Sequence, residues 1–205
     1  MKTSKKICAL LGTFLLLQTT AAYTGGEEPF LTTSTAWAAD YVAPDWLEDI
    51  DEATRDDTIA FGIYVGKPIQ TVVDDLAKKG WQRKDNNNTV IMLKKKNGYM
   101  QLIALHPHGK DNNLVGNYRI RFYAKDSATA DEMYMRAEKN FSYNFGRPQV
   151  KKGMANATWF LSDSFAIMVE YNQYDPRMPL IKDAYPNEIV IKREMGNYKA
   201  FFEGE

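Results

Sequence analysis

The clearest hydrophobic pattern in the chain lies between Ala60 and Trp81. Pro68 suits the first turn of a helix, where its missing N–H has no partner to lose, and Gly80 suits the left-handed residue that ends one. The pattern therefore predicts an amphipathic helix that stops at Lys79, preceded by a short extended segment from Phe61 to Val65. Its apolar residues recur at a spacing that puts them on one buried stripe: Ile69, Val72, Val73 and Leu76.

Alternation of apolar and polar residues predicts strands after this helix. Asn97-Gly98 separates two β-rich stretches and is typical of a type I′ hairpin turn, because both residues tolerate positive φ. The segment from His106 to Gly116 is polar and is predicted as a loop. The strands predicted in this part of the chain are Val90–Lys94, Tyr99–Leu105 and Asn117–Tyr123.

The same order of elements then begins again. Thr129 to Glu132 matches a capping box, and it opens a long helical pattern that ends at Gly146. Corresponding elements are offset by roughly 60–70 residues, which is longer than the repeats of stacking solenoids. We therefore predict an α+β fold: a duplicated helix-plus-antiparallel-strand unit forming one antiparallel sheet of about six or seven strands, with two helices on one face. The later strands are predicted at Ala155–Leu161, Phe165–Asn172 and Glu188–Arg193.

The N-terminus has the layout of a secretory signal peptide: early lysines, an apolar run from Ile7 to Leu17, then small residues. The run is shorter than the roughly 20 residues that a bilayer-spanning helix needs. Cleavage fits best after Ala38, and Ala21 or Ala22 is the alternative. We expect a secreted, periplasmic or cell-envelope protein with no integral membrane segment after signal removal. The predicted regions are a signal peptide (1–38), an acidic lead-in (39–60), one domain with two repeats (61–124 and 126–195) and a tail (196–205).

The acidic lead-in predicts one short helix that docks through Trp46, Leu47 and Ile50. A calcium loop fits this segment less well, because such a loop needs a central glycine and the segment has none.

Composition excludes several classes of function. The chain has 26 Lys and Arg against 26 Asp and Glu, so no general attraction to nucleic acid is expected. The single cysteine, Cys8, lies in the predicted signal peptide, which leaves no disulfide or thiolate metal site in the mature protein.

The candidate chemistry is sparse. His106 and His108 share one loop, with Asp111 as the nearest third metal ligand, so they predict neither a metal site nor a Ser-His-acid triad. We therefore predict no catalytic residue, no metal and no cofactor. One alternative stays open, an exported hydrolase whose paired carboxylates cannot be recognised from their spacing.

Two features of the sequence indicate a known fold: the repeated element order, and the glycine and apolar pattern of Gly66, Val72, Leu76 and Gly80-Trp81. Together they resemble the tandem α/β-repeat fold of the β-lactamase inhibitor proteins and of small exported outer-membrane assembly lipoproteins. The resemblance covers about Phe61 to Arg193 and implies a binding protein rather than an enzyme. This chain lacks the lipidation cysteine and the disulfides of those families, so the resemblance implies no particular partner.

The candidate binding surface is the side of the predicted sheet that the helices leave uncovered. Strand alternation puts five residues of types common at interfaces on that side: Arg119, Arg121, Tyr123, Met168 and Glu170. The loops His106–Gly116 and Gln173–Pro186 are the next candidates. The sequence thus predicts an exported, non-catalytic binding or interaction module of the cell envelope, with an envelope or extracellular protein as its partner.

Overall fold

The structure, a computed structural model, describes residues 43–85, 88–150, 156–173 and 184–198. The predicted signal peptide lies outside the described residues. So do most of the loop Gln173–Pro186 and most of the predicted tail.

The fold is α+β, with helices packed against one antiparallel sheet, as predicted. The described residues form α1 (Asp45–Thr54), α2 (Ile69–Lys78) and α3 (Ser127–Phe145). Its strands are β1 (Gln82–Arg83), β2 (Val90–Lys95), β3 (Tyr99–His108), β4 (Leu114–Ala124), β5 (Gln149–Val150), β6 (Asn156–Ser162), β7 (Phe165–Gln173) and β8 (Asn187–Met195).

The strands run in the spatial order β1-β2-β3-β4-β8-β7-β6-β5. Each half of the sheet follows one helix and contains a two-residue edge strand, a hairpin and a long inner strand, and the two inner strands pair at the centre. The order of elements is therefore the same in both halves. An origin of the two halves by duplication stays a prediction.

The central helix ends as its sequence predicts. The N–H of Trp81 donates to the carbonyl oxygen of Leu76 at 3.1 Å, and the N–H of Gly80 donates to that of Ala77 at 3.0 Å. With φ of 84° at Gly80, this is a Schellman ending. Pro68 stands one residue before the helix, as its N-cap.

Two turns differ from the prediction in an instructive way. Gly98 has a φ of 81°, but Asn97 is not among the described non-glycine residues with positive φ, so this hairpin turn is not type I′. Positive φ at both central residues occurs instead at Phe61 and Gly62, where a tight turn replaces the predicted extended segment. Positive φ is unfavourable for a non-glycine residue, and the side chain of Phe61 is buried here, with its ring edge-on against Trp81 at 5.7 Å between centroids.

The long helix α3 begins at Ser127, two residues before the predicted capping box. Its N-cap is Asp126, whose carboxylate accepts hydrogen bonds from the N–H and the hydroxyl of Thr129, at 2.8 and 3.1 Å. These bonds lower the pKa of Asp126.

The predicted loop from His106 to Gly116 is largely strand, because β3 continues through His108 and β4 begins at Leu114. The two strands stay paired across an irregularity at His106/Pro107. Gly116 is required there, since a Cβ at this position would lie 2.6 Å from the Cβ of His108.

The main core lies between the helices and one side of the sheet, which we call the helix face. Strand residues predicted to point under the helices are buried here: Tyr118, Ile120, Phe122, Ile167, Val169, Ile189 and Ile191. Trp46, Ile50 and Ala53 of α1 join the same core. The short helix predicted in the acidic lead-in is α1, and it adds a third helix to this layer, for which two helices were predicted.

The carboxylates of α1 are not simply solvated. Asp51 accepts hydrogen bonds from Arg136, at 2.7 and 2.8 Å, and from Asn140 at 2.8 Å. Asp49 accepts from the hydroxyl of Tyr99 and forms an ion pair with Lys96 at 3.2 Å. Acids close together in sequence therefore fasten α1 to α3 and to the hairpin of β2 and β3.

The end of α1 is held by Arg193, a fully buried arginine of β8 on the helix face. Its guanidinium donates to the carbonyl oxygens of Ala53, Asp56 and Asp57 at 2.6–2.8 Å. It also lies over the rings of Tyr118 and Phe141, at 5.6 and 5.5 Å. These carbonyls sit at the negative end of the helix, so they suit a buried cation.

Candidate binding face

The opposite side of the sheet, which we call the far face, carries all five predicted binding residues. Arg119 pairs with Lys192 and Tyr123 with Glu188 across β4 and β8, and Met168 pairs with Lys192 across β7 and β8. The strict alternation of side chains then places Arg121 and Glu170 on the same side.

The part of the far face on β2, β3 and the C-terminal end of β4 is apolar and buried. Ala184 and Tyr185 are the described partly buried residues that pack against this cluster. Its members are Ile91, Leu93, Met100, Leu102, Ala104 and Tyr123. Tyr123 is therefore part of a second core and is not an exposed contact residue. Burial raises the pKa of its hydroxyl.

The part of the far face on β4, β7 and β8 is built from ion pairs. Arg119 contacts Glu194 at 2.7 Å, Arg121 contacts Glu188 at 2.5 Å, and Lys192 contacts Glu170 at 2.5 Å. Opposite charges therefore lie on neighbouring strands, an arrangement that stabilises the sheet.

The two predicted arginines have different environments. The side chain of Arg121 is 15% exposed and that of its partner Glu188 is 8% exposed, whereas Arg119 is 33% exposed. Burial lowers the pKa of Arg121, but Glu188 and Tyr123 raise it by more. Arg121 is thus the less exposed arginine of this face, and Arg119 is the more exposed one.

Arg119, Lys192 and Met168 form a row of direct neighbours on three adjacent strands, in which Arg119 is 33% exposed and Lys192 is 17% exposed. Glu194 orients Arg119 through both Nε and a terminal nitrogen, at 3.0 and 2.7 Å. This row presents two oriented cations beside a flexible apolar side chain.

His106 lies on the far face in register with Asn117. Burial lowers its pKa, and the nearby positive charges of Arg119 and Arg121 act in the same direction while Glu194 opposes them. The protonated form of this imidazole is therefore disfavoured. In the part of the chain that the structure describes, no three His, Cys, Asp or Glu residues are grouped to hold a metal ion.

Sequence reasoning missed Glu194, because the predicted strand ended at Arg193 and β8 continues to Met195. If strand alternation is continued for two residues beyond Lys192, Glu194 lies on the far face. The sequence therefore contained the pattern needed to find this residue. Sequence reasoning also gave no indication of how the charges on that face pair.

The sequence matches no protein-family model, and comparisons with curated proteins and with solved structures gave no significant match. The resemblance to the β-lactamase inhibitor proteins therefore stays an expectation. Within the described residues, no helix has the length and apolar character needed to cross a membrane.

Proposed function

We propose that the protein is an exported, non-catalytic binding module of the cell envelope, and that it holds a protein partner against the far face. The observation that carries this proposal is the row of Arg119, Lys192 and Met168, partly exposed and oriented by carboxylates from the neighbouring strands. The predicted signal peptide supports the export.

Three properties of this row suit a protein partner. Arginine and methionine are enriched at protein interfaces. The guanidinium of Arg119 is already oriented by Glu194, so less side-chain freedom is lost on binding. Its planar group suits a carboxylate of the partner, and Met168 adapts to an apolar contact beside it.

The ion pairs also explain why we favour binding over catalysis. The glutamates of this face, Glu170, Glu188 and Glu194, each contact a cationic side chain within 2.7 Å. Carboxylates held in this way serve as orienting groups for their cations. A hydrolase needs a carboxyl group aimed at a substrate instead.

The proposal is tested by capture from the envelope fraction of the producing cell, followed by titration of the purified partner. Arg119→Glu reverses the charge of the more exposed cation of this row, and we expect a loss of affinity of at least about tenfold. The matched control is Arg55→Glu, which changes an exposed arginine just after α1. Equal loss in both variants, or none in Arg119→Glu, contradicts binding by this face.

A further inference from the structure

The edge of the sheet beside α2 leaves the end of β2 without a partner strand. The edge strand β1 has only two residues, which pair with Met92 and Leu93. The N–H of Lys84 donates to the carbonyl oxygen of Ile91 at 2.7 Å, so alternate residues of β2 point their backbone groups toward this edge. Lys95 is one of these residues and lies beyond the end of β1. Among the described residues, no strand faces its N–H.

A groove of about 200 Å³ lies beside this open backbone. Lys94 pairs with Gln101 and Lys95 with Met100 across β2 and β3, which places Lys94 on the helix face and Lys95 on the far face. The groove therefore has a lysine from each side of the sheet. Its lining consists of Gly80, Gln82, Leu93, Lys94 and Lys95.

The two lysines of the groove lack acidic partners. Two neighbouring lysines, Lys79 and Lys96, lie 3.8 and 3.2 Å from carboxylates of α1. In contrast, neither Lys94 nor Lys95 forms an ion pair with an acid in the described part of the chain. The ammonium group of Lys94 lies over the ring of Trp81, 5.9 Å from its centre. The groove therefore carries two uncompensated positive charges, although the chain as a whole is neutral.

The donors of the groove suit a phosphate group better than a carboxylate. A lysine ammonium is a compact charge with three donors and commonly binds phosphate, whereas planar recognition of a carboxylate favours arginine. A phosphate monoester carries about 1.5 to 2 negative charges at neutral pH, which matches two unpaired lysines. The volume is below the roughly 300 Å³ at which pockets for whole small molecules begin. The groove therefore fits one small charged group of a ligand.

The end of α2 borders the groove through Gly80. Free carbonyl groups at the end of a helix repel an anion. Here the carbonyl oxygens of Leu76 and Ala77 already accept hydrogen bonds from the N–H groups of Trp81 and Gly80, at 3.1 and 3.0 Å. The closed helix end leaves the two lysines as the dominant charges of the groove.

We propose that this groove is a second binding site, separate from the row of Arg119, Lys192 and Met168, and that it binds the phosphate monoester of a ligand. The ammonium groups of Lys94 and Lys95 contact the phosphate oxygens from two sides. The N–H of Lys95 donates a further hydrogen bond. A soluble phosphate ester and a lipid headgroup that ends in phosphate both present this group.

The first test titrates the full mature chain with methyl phosphate at about pH 7.5, where the second proton of the ester is largely lost. Backbone amide chemical shifts follow the binding. We expect saturation in the millimolar range, roughly 1–10 mM, with the largest shifts at Lys95 and Gly80. Dimethyl phosphate carries a single charge and is the matched ligand control. It should bind at least about fivefold more weakly.

The second test removes the charges of the groove. The double change Lys94→Gln with Lys95→Gln should weaken the binding of methyl phosphate at least about tenfold. The matched control, Lys110→Gln with Lys139→Gln, removes two exposed lysines elsewhere and should leave the affinity within about twofold. Both double variants should keep the melting temperature of the parent, because surface substitutions cost little stability.

Vesicles distinguish the two sources of the phosphate. Retention on phosphatidylcholine vesicles that contain phosphatidic acid, lost in the Lys94 and Lys95 double variant, indicates a lipid headgroup. Binding of methyl phosphate without such retention indicates a soluble ester. The proposal is overturned if methyl phosphate does not saturate below about 50 mM, if dimethyl phosphate binds equally, or if the double variant binds like the parent. Arg119→Glu leaves this binding unchanged, so failure here is distinguishable from failure of the far-face proposal.

Discussion

The two faces of the sheet neutralise buried charge in different ways. On the helix face, Arg193 is fully buried, and its cation is met by the carbonyl of Ala53 in the last turn of α1 and by the carbonyls of Asp56 and Asp57 just after the helix. On the far face, Arg119, Arg121 and Lys192 are each met by a glutamate on a neighbouring strand.

The difference follows from what covers each face. A helix terminus brings carbonyl groups that lack partners within the helix, so an arginine beneath it completes their hydrogen bonds. A strand brings only side chains to its neighbour's face, so a cation there needs a carboxylate. Charge on the helix face therefore assembles the fold, and charge on the far face remains partly available to a ligand.

The largest effect on this difference between the two faces is expected for Arg193→Met. We expect the free energy of unfolding to fall by about 3–5 kcal/mol, because three carbonyls in and just after the last turn of α1 lose their charged donor. The matched control is Lys192→Met, the adjacent residue on the opposite face, which should cost about 1 kcal/mol. Chemical denaturation measures both values. Similar losses would mean that the two faces do not differ in this respect.

Leu76→Ala tests the packing of the helix face without touching a charge. Leu76 is 1% exposed in the core, so its truncation should lower the free energy of unfolding by about 2–5 kcal/mol. Lys78→Ala in the same helix is the exposed control and should change it by less than about 0.5 kcal/mol. A loss below about 1 kcal/mol for Leu76→Ala would contradict close packing of α2.

A comparison of Arg121→Ala with Arg119→Ala tests whether the two arginine ion pairs of the far face contribute differently to stability. Removal of Arg121 leaves Glu188 nearly buried without its cation, and we expect a loss of about 2–3 kcal/mol. Removal of Arg119 should cost less than about 1 kcal/mol, because this pair is more exposed. Thermal unfolding separates the two variants. Equal melting temperatures would show that burial does not distinguish the two arginines.

Asp51→Asn gives the smallest effect and depends on pH. Hydrogen bonds from Arg136 hold the pKa of Asp51 below its usual value, and burial only partly opposes them. Ionised Asp51 therefore stabilises the fold above about pH 4, the usual range of this carboxyl, and this contribution is lost as the pH falls through the lowered pKa.

The expected loss for Asp51→Asn at neutral pH is about 1 kcal/mol, since both partners are about one-third exposed. The variant should lose less stability than the parent between about pH 5 and pH 2. Denaturation at a series of pH values checks this. A constant difference across the series would show that the charge of Asp51 does not contribute.

Local sequence patterns predicted the elements well wherever the deciding contacts are local. Gly80 and Trp81 close the helix through bonds to residues three and five positions earlier, so the ending could be predicted directly from the sequence. Strand alternation in β4, β7 and β8 assigned residues to the correct face for the same reason. The N-cap was predicted at Thr129 and lies three residues earlier, at Asp126. The capping box would pair the N–H of Thr129 with the side chain of Glu132, but the carboxylate of Asp126 accepts this hydrogen bond instead.

The sequence by itself determined the α+β class, the helix stripe and the side of the sheet on which each strand residue lies. Only the tertiary structure decided that Phe61 takes a left-handed backbone, that Tyr123 is buried and that Arg193 holds α1. These outcomes depend on contacts between residues far apart in the chain, such as Arg193 with Ala53. Alternation fixes which way a side chain points, whereas its partner and its exposure are fixed by the segments that pack against it.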